Sequence, residues 1–226
     1  MYRTERNYEN LNKGIFPGAG RYDIPILRPE LTTAENWISF NYAKGCEEPS
    51  EHGVHFFVDD YQFNRIWAHP DNYLSMMAWF DTVCTPDFST YTDFPRIIQI
   101  YNHYRKHWLG AYWQAHGIKV IPTISWSTPD SFAWCFDGEP IGGAVAVSSV
   151  GTQAIPESAD LFMAGYNEML RRLQPAPPTP ASLAPNAPPM GVTLSDVQQM
   201  DDTSMHDFLI NVQSVDMPQF LCDSHL

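Results

Sequence analysis

Two short runs of this chain end in acids in a way that could support chemistry. Residues Val54, His55, Phe56, Phe57 and Val58 lead into Asp59 and Asp60, and residues Thr82 to Pro86 lead into Asp87, Phe88 and Ser89. Apolar and aromatic runs of this length read as buried strands. A buried strand that ends in a carboxylate is how parallel α/β sheets bring reactive groups to one rim. Asp59 and Asp87 are therefore the candidate catalytic pair, acting as general acid and base or as ligands of a divalent metal. Neighbouring side chains alternate across a strand, so only one of Asp59 and Asp60 faces the site, and the other caps a helix starting near Tyr61. Asp87 follows a proline and an apolar strand, so its carboxyl is expected to be partly desolvated and its pKa open to tuning. Asp93, two residues before Pro95, reads as a helix cap.

The candidate substrate-binding residues fall on the same rim: His55, Asp60, Ser89, Trp126 and Ser149. His55 shares a strand face with Asp59 at i, i+4, although a lone histidine in a buried strand is more often a hydrogen-bonded core residue. Trp126, flanked by Ser125 and Ser127, offers an aromatic plane to a sugar ring or a nucleobase. Ser148, Ser149, Gly151 and Thr152 form a small hydroxyl-rich loop before a helix, where backbone N–H groups could take a phosphate. His103 and His107 have the i, i+4 spacing of a metal-binding pair. They lack the glutamate of H-E-x-x-H and flank Arg105 and Lys106, so a solvated helix face is the expected reading. No P-loop and no G-x-G-x-x-G is present. No cofactor is evident beyond a divalent metal on the aspartates.

Alternating strand-like and helix-like segments must position these residues. Strands are expected at 24–28, 37–43, 54–60, 82–88, 118–126 and 143–149. Helices are expected over 94–115, where Ile97, Tyr101, Tyr104, Trp108 and Tyr112 share one face, and over 157–173, where Phe162, Tyr166, Met169 and Leu173 do so. Strands alternating with helices imply an α/β fold, a mainly parallel sheet of βα units. A full eight-unit barrel takes about 250 residues, so the expected architecture is an incomplete, barrel-like (βα) sheet, with a flavodoxin-like open sheet as the alternative.

Several motifs in the same order resemble the family DUF4417 of bacterial and phage proteins. They include Gly14 to Pro25, W-I-S-F-N-Y-A at 37–43, V-H-F-F-V-D-D-Y-Q-F at 54–63, P-D-F-S-T-Y-T-D-F-P at 86–95, N-H-Y-R-K-H-W-L-G-A-Y at 102–112 and G-I-K-V-I-P-T-I-S-W at 117–126. The resemblance runs through S-F-A-W-C-F-D-G at 131–138 to about Leu173. It implies an accessory role on phages and mobile elements and carries no assigned activity with it.

Past Leu173 the composition changes. A proline-rich linker is expected over 174–191, followed by a weakly ordered acidic tail over 192–226 that holds no Lys or Arg. The tail departs from the family pattern, as an exchanged or a frameshifted ending would. The whole chain, at 226 residues and 44% hydrophobic, can bury a substantial core. Its net charge of −13 opposes non-specific binding to nucleic acid, whose affinity rests on Lys and Arg. The four cysteines are scattered without paired spacing, which favours free thiols and a reducing, cytoplasmic setting. No apolar run approaches membrane-spanning length. Two functions fit these features. One is an enzyme-like pocket that hydrolyses a glycosidic or phosphate-ester bond in a small molecule, and the other is a non-catalytic acidic module that binds a host protein.

Overall fold

The computed structural model describes residues 7–8, 13–148 and 156–175. Ser149, nearly all of the linker and the whole acidic tail lie outside the described residues. Two short antiparallel hairpins come first, β1 (Asn7–Tyr8) with β2 (Lys13–Gly14) and β3 (Gly18–Ala19) with β4 (Ile24–Pro25). The segment expected as a sheet strand at 24–28 thus closes a hairpin instead.

The main sheet has four parallel strands, β5 (Asn36–Ser39), β6 (His52–His55), β7 (Thr82–Cys84) and β8 (Val120–Ile121), in the spatial order β5-β6-β7-β8. Helices α1 (Phe40–Ala43), α2 (Asp60–Ala68), α3 (Asp71–Met77) and α4 (Arg96–Ala115) lie between the strands, and α5 (Pro156–Leu173) follows. A parallel bridge from Thr123 to Ala146 extends the series by one more crossing. The spatial order equals the chain order, as in successive units of a barrel, whereas a flavodoxin-like sheet reverses direction after its first strands. The described sheet is open.

Register follows from the β-branched residues. Ile38, Val54, Val83 and Val120 pair in one continuous row across all four strands. Beyond the row, Thr85 and Thr123 carry the β7–β8 pairing past the strand ends. Thr123 N donates to Thr85 Oγ1 at 2.8 Å and Thr123 Oγ1 to Thr85 O at 2.7 Å. An aromatic core packs against the sheet. The Phe56 ring stacks on Phe40 at 5.1 Å and on Trp113 at 5.9 Å, and meets Phe63 edge-on at 5.7 Å. A second core, of Ile124, Trp134, Phe136, Val145, Val147, Met169 and Leu173, joins α5 to the end of the sheet.

Helix α4 keeps part of the expected aromatic stripe, with Trp108 buried and Tyr104 and Tyr112 packed against the core, but overturns the expectation of a solvated polar face. Ile97 is 69% exposed and Tyr101 37%, while Gln99, Asn102, His103, Lys106, His107 and Gln114 are buried. Buried polar groups must recover in the protein the hydrogen bonds lost to water, and these do so by holding loop backbone. Gln99 Nε2 donates to Tyr91 O and Phe94 O at 3.1 and 2.9 Å, and Asn102 Nδ2 donates to Ser89 O at 2.6 Å. Gln114 exchanges bonds with both backbone groups of Arg28 at 2.9 Å each. Gly110 permits the close approach, because a Cβ there would lie 2.8 Å from Thr85 Cγ2 and 2.9 Å from Leu27 Cδ2. Asp93 is not a cap for this helix, whose N-cap position is Pro95.

Truncating Phe56 to Ala removes a fully buried ring and leaves a cavity among three other rings, which costs about 3–5 kcal/mol. Urea unfolding of F56A is expected to show a lower midpoint at an unchanged slope.

Candidate functional site

Because the strands are parallel, their C-terminal ends share one edge, and that edge carries the acids. There Asp87, Ile124, Ser125, Trp126, Val147 and Ser148 meet Ser158 and Phe162 of α5 around a cleft of about 130 Å³. Asp87 follows β7, Trp126 follows β8, and Ser148 follows the bridging residue Ala146. Asp87 is half-buried with its carboxyl crowded by protein. Burial pushes its pKa up to about 6 against the pull of Lys106, with a further rise from Asp60.

Asp60 opens α2 and turns toward β7. Its carboxylate accepts Ser89 N–H at 3.1 Å and the Ser89 hydroxyl at 2.7 Å, which ties the ends of two neighbouring strands together. Asp59 occupies the N-cap position without a side-chain cap bond, is exposed, and does not line the cleft. His55 is buried beneath the rim, its ring stacked on Phe57 at 5.6 Å and its Nδ1 3.4 Å from Phe57 N. Of the sequence candidates, Asp87 and Trp126 come together in the cleft. Asp60 and Ser89 pair beside it, His55 lies in the core, and Ser149 falls outside the described residues.

The Trp126 indole is fixed from behind. Its Nε1 donates to Leu161 O at 3.2 Å and its ring sits 5.5 Å from Phe162. Gly165 lets α5 close over that indole, since a Cβ there would run into the Trp126 ring. The Trp126 carbonyl accepts the Thr90 hydroxyl at 3.2 Å, which joins the loop after β7 to the loop after β8.

Behind the rim lies a buried polar cluster. Lys106 Nζ donates to Thr123 O at 2.6 Å and pairs with Glu139 Oε1 at 3.1 Å. His107 places Nε2 2.8 Å from the same Glu139 oxygen and Nδ1 2.8 Å from Pro25 O. His103 lies alongside, with ring centroids 4.4 Å apart and its Nε2 3.1 Å from Asp137 O. Burial, with His107 and Lys106 adding to it, drives the His103 pKa well below its ordinary value, so the ring is neutral. Burial alone would raise Glu139, but His107 and Lys106 outweigh it and hold the carboxylate ionised. Glu139 Oε2 is buried with no hydrogen-bond partner among the described residues. Gly138, at φ +78°, makes room for this turn, because a Cβ would meet Pro25 O at 2.6 Å and His107 Nδ1 at 2.9 Å.

The sequence reading placed Lys106 on a solvated face and left out Glu139. The available signals were the helical spacing of Gln99, His103, Lys106 and Gly110, which marks a second face of α4, and the acid that follows a glycine turn at 138–139.

Asp87 generates a prediction about pH. A carboxyl raised from 3.8 to about 6 on folding stabilises the protein while protonated. That contribution is complete below pH 3.8 and is lost as pH rises through about 6. Asp87→Asn is expected to raise the melting temperature above pH 6 and to flatten the stability profile across that window in a pH-resolved thermal melt.

No helix among the described residues is long and apolar enough to cross a membrane. No solved structure matches the chain. The chain is 43% identical over 162 residues to the "Gene 1 protein" of Mycobacterium phage D29, a match that covers 71% of this chain and 60% of that protein. It is 40% identical over 162 residues to the "Gene 1 protein" of Mycobacterium phage L5, covering 71% of each. The chain thus spans less than two thirds of the D29 relative. Residues 16–177 match the family described as "Domain of unknown function (DUF4417)", and with its phage relatives this chain belongs to that family.

Proposed function

We propose that the cleft beside Asp87 binds a small molecule and that Asp87 serves there as a general acid–base in hydrolysis of a glycosidic or phosphate-ester bond. One observation carries this reading. A carboxyl with a pKa of about 6 opens into a cleft whose wall is the Trp126 indole. Such a group can both hold and release a proton near neutral pH, which an ordinary surface aspartate cannot do. Asp60, fixed by two Ser89 donors, supplies the neighbouring negative charge that helps Asp87 retain its proton. The indole face suits a sugar ring or a base, and Ser125, Ser148 and Ser158 offer hydroxyls to a polar substrate.

A second reading, a docking surface for a protein partner, is favoured by the solvent-facing side chains of Tyr91, Ile97 and Ile98 at the start of α4. The two readings separate on Asp87, since partner binding through α4 is indifferent to the Asp87→Asn substitution.

A thermal-shift screen over sugars, nucleotides and phosphate monoesters, run on wild type and Asp87→Asn side by side, tests the first reading. A true ligand at about a hundredfold over its Kd is expected to raise the wild-type melting temperature by roughly 5–10 °C. Its effect should shrink sharply in the variant. A screen in which no compound separates the two proteins removes the cleft from consideration.

A further inference from the structure

We propose that His103, His107 and Glu139 bind a transition-metal cation of the zinc type at a site distinct from the cleft. One ligand atom from each residue lies within 4.8 Å of the other two, and all three residues are buried. The two imidazoles sit one helical turn apart on α4, and the carboxylate arrives from the 137–139 turn.

Hydrogen-bond geometry fixes which nitrogen of His107 is available to a cation. A carbonyl oxygen only accepts, so His107 Nδ1, 2.8 Å from Pro25 O, is the donor there. The other nitrogen, Nε2, faces Glu139 Oε1 at 2.8 Å, and a proton or a metal cation can stand between the two. Zinc, with bonds of about 2.0–2.2 Å to nitrogen and oxygen, holds tetrahedral ligand atoms about 3.3–3.6 Å apart, which lies between the 2.8 Å of this pair and the 4.8 Å limit of the cluster. Glu139 Oε2, which lacks a partner, supplies a fourth donor when the carboxylate binds through both oxygens.

The surroundings fit. Backbone carbonyls of Pro25 and Asp137 engage the two rings and Lys106 holds the carboxylate, the kind of outer support that orients metal ligands. Around the cluster the carboxylates of Glu139 and Asp137 stand against the cationic side chains of Lys106 and Arg172. Two imidazoles with one carboxylate select zinc or its neighbours over magnesium and calcium, which prefer all-oxygen sets. A site this deeply buried would serve structure, pinning α4 to the 137–139 turn and to the first part of the chain.

The test is metal loading of the full chain. Protein incubated with zinc chloride and freed of excess by gel filtration is expected to retain about one zinc per chain by elemental analysis. Content should fall roughly tenfold or more in His103→Ala and Glu139→Gln, and should persist in Asp87→Asn, which separates this site from the cleft. Should those variants fail to fold, wild type alone decides. Cobalt loading is expected to give the visible absorption of a low-symmetry four-coordinate ion, and a chelator to lower the melting temperature of the zinc-loaded protein. Wild type that retains neither metal, leaving a proton alone between His107 and Glu139, overturns the proposal. Equal zinc content in folded variants and wild type overturns it as well.

Discussion

The structure depends on a helix that faces its core with polar side chains. A helix in a βα unit normally buries an apolar stripe against the sheet. In α4 the aliphatic and aromatic residues share that role with two glutamines, an asparagine, two histidines and a lysine, each aimed at backbone beyond the helix. Burying such groups is costly unless their partners are complete. The partners here are mostly loop backbone groups, together with the Pro25 carbonyl at the end of β4. The helix therefore works as a frame for irregular segments: 89–94 through Gln99 and Asn102, Thr123 through Lys106, Asp137 through His103, Pro25 through His107 and Arg28 through Gln114.

This frame explains how such short strands hold a defined rim. β7 and β8 have few ladder bonds, so the positions of Asp87 and Trp126 rest on the supports outside the strands. Thr85 and Thr123 continue the pairing, Lys106 fixes the Thr123 carbonyl, and Asn102 and Asp60 hold Ser89 from two sides. Lys106 also links the electrostatics of the two regions. Its ammonium pairs with Glu139 and lowers the pKa of Asp87, while burial and Asp60 raise it. The protonation balance of the rim is thus set partly by charges packed behind it.

Much of the fold was legible because strand ends and helix starts are written locally. The runs at 54–58 and 82–85, the proline before α4 and the glycine after it marked the main elements within a few residues. The parallel order followed from their alternation. The orientation of α4 was not legible, because two faces of that helix each carry a helical period. The sequence does not say which one the sheet will cover. The aromatic set was the natural choice by transfer energy alone and keeps Trp108 in the core, while the polar set is buried as well because it completes hydrogen bonds with distant segments. At the rim, residue type located Asp87 and Trp126. The choice between Asp59 and Asp60 turned on a rotation of the chain at the first turn of α2, and the involvement of Glu139 depends on contacts over thirty residues away in sequence.

The Pro25 carbonyl and the Glu139 carboxylate are grasped by opposite nitrogens of one imidazole. A breathing motion that lifts the second hairpin away would strand a ring nitrogen in a dry interior, and so would a motion of the 137–139 turn. Neither segment can therefore fluctuate open cheaply by itself. The two should exchange their amide hydrogens as one cooperative unit with α4, although they lie more than a hundred residues apart along the chain.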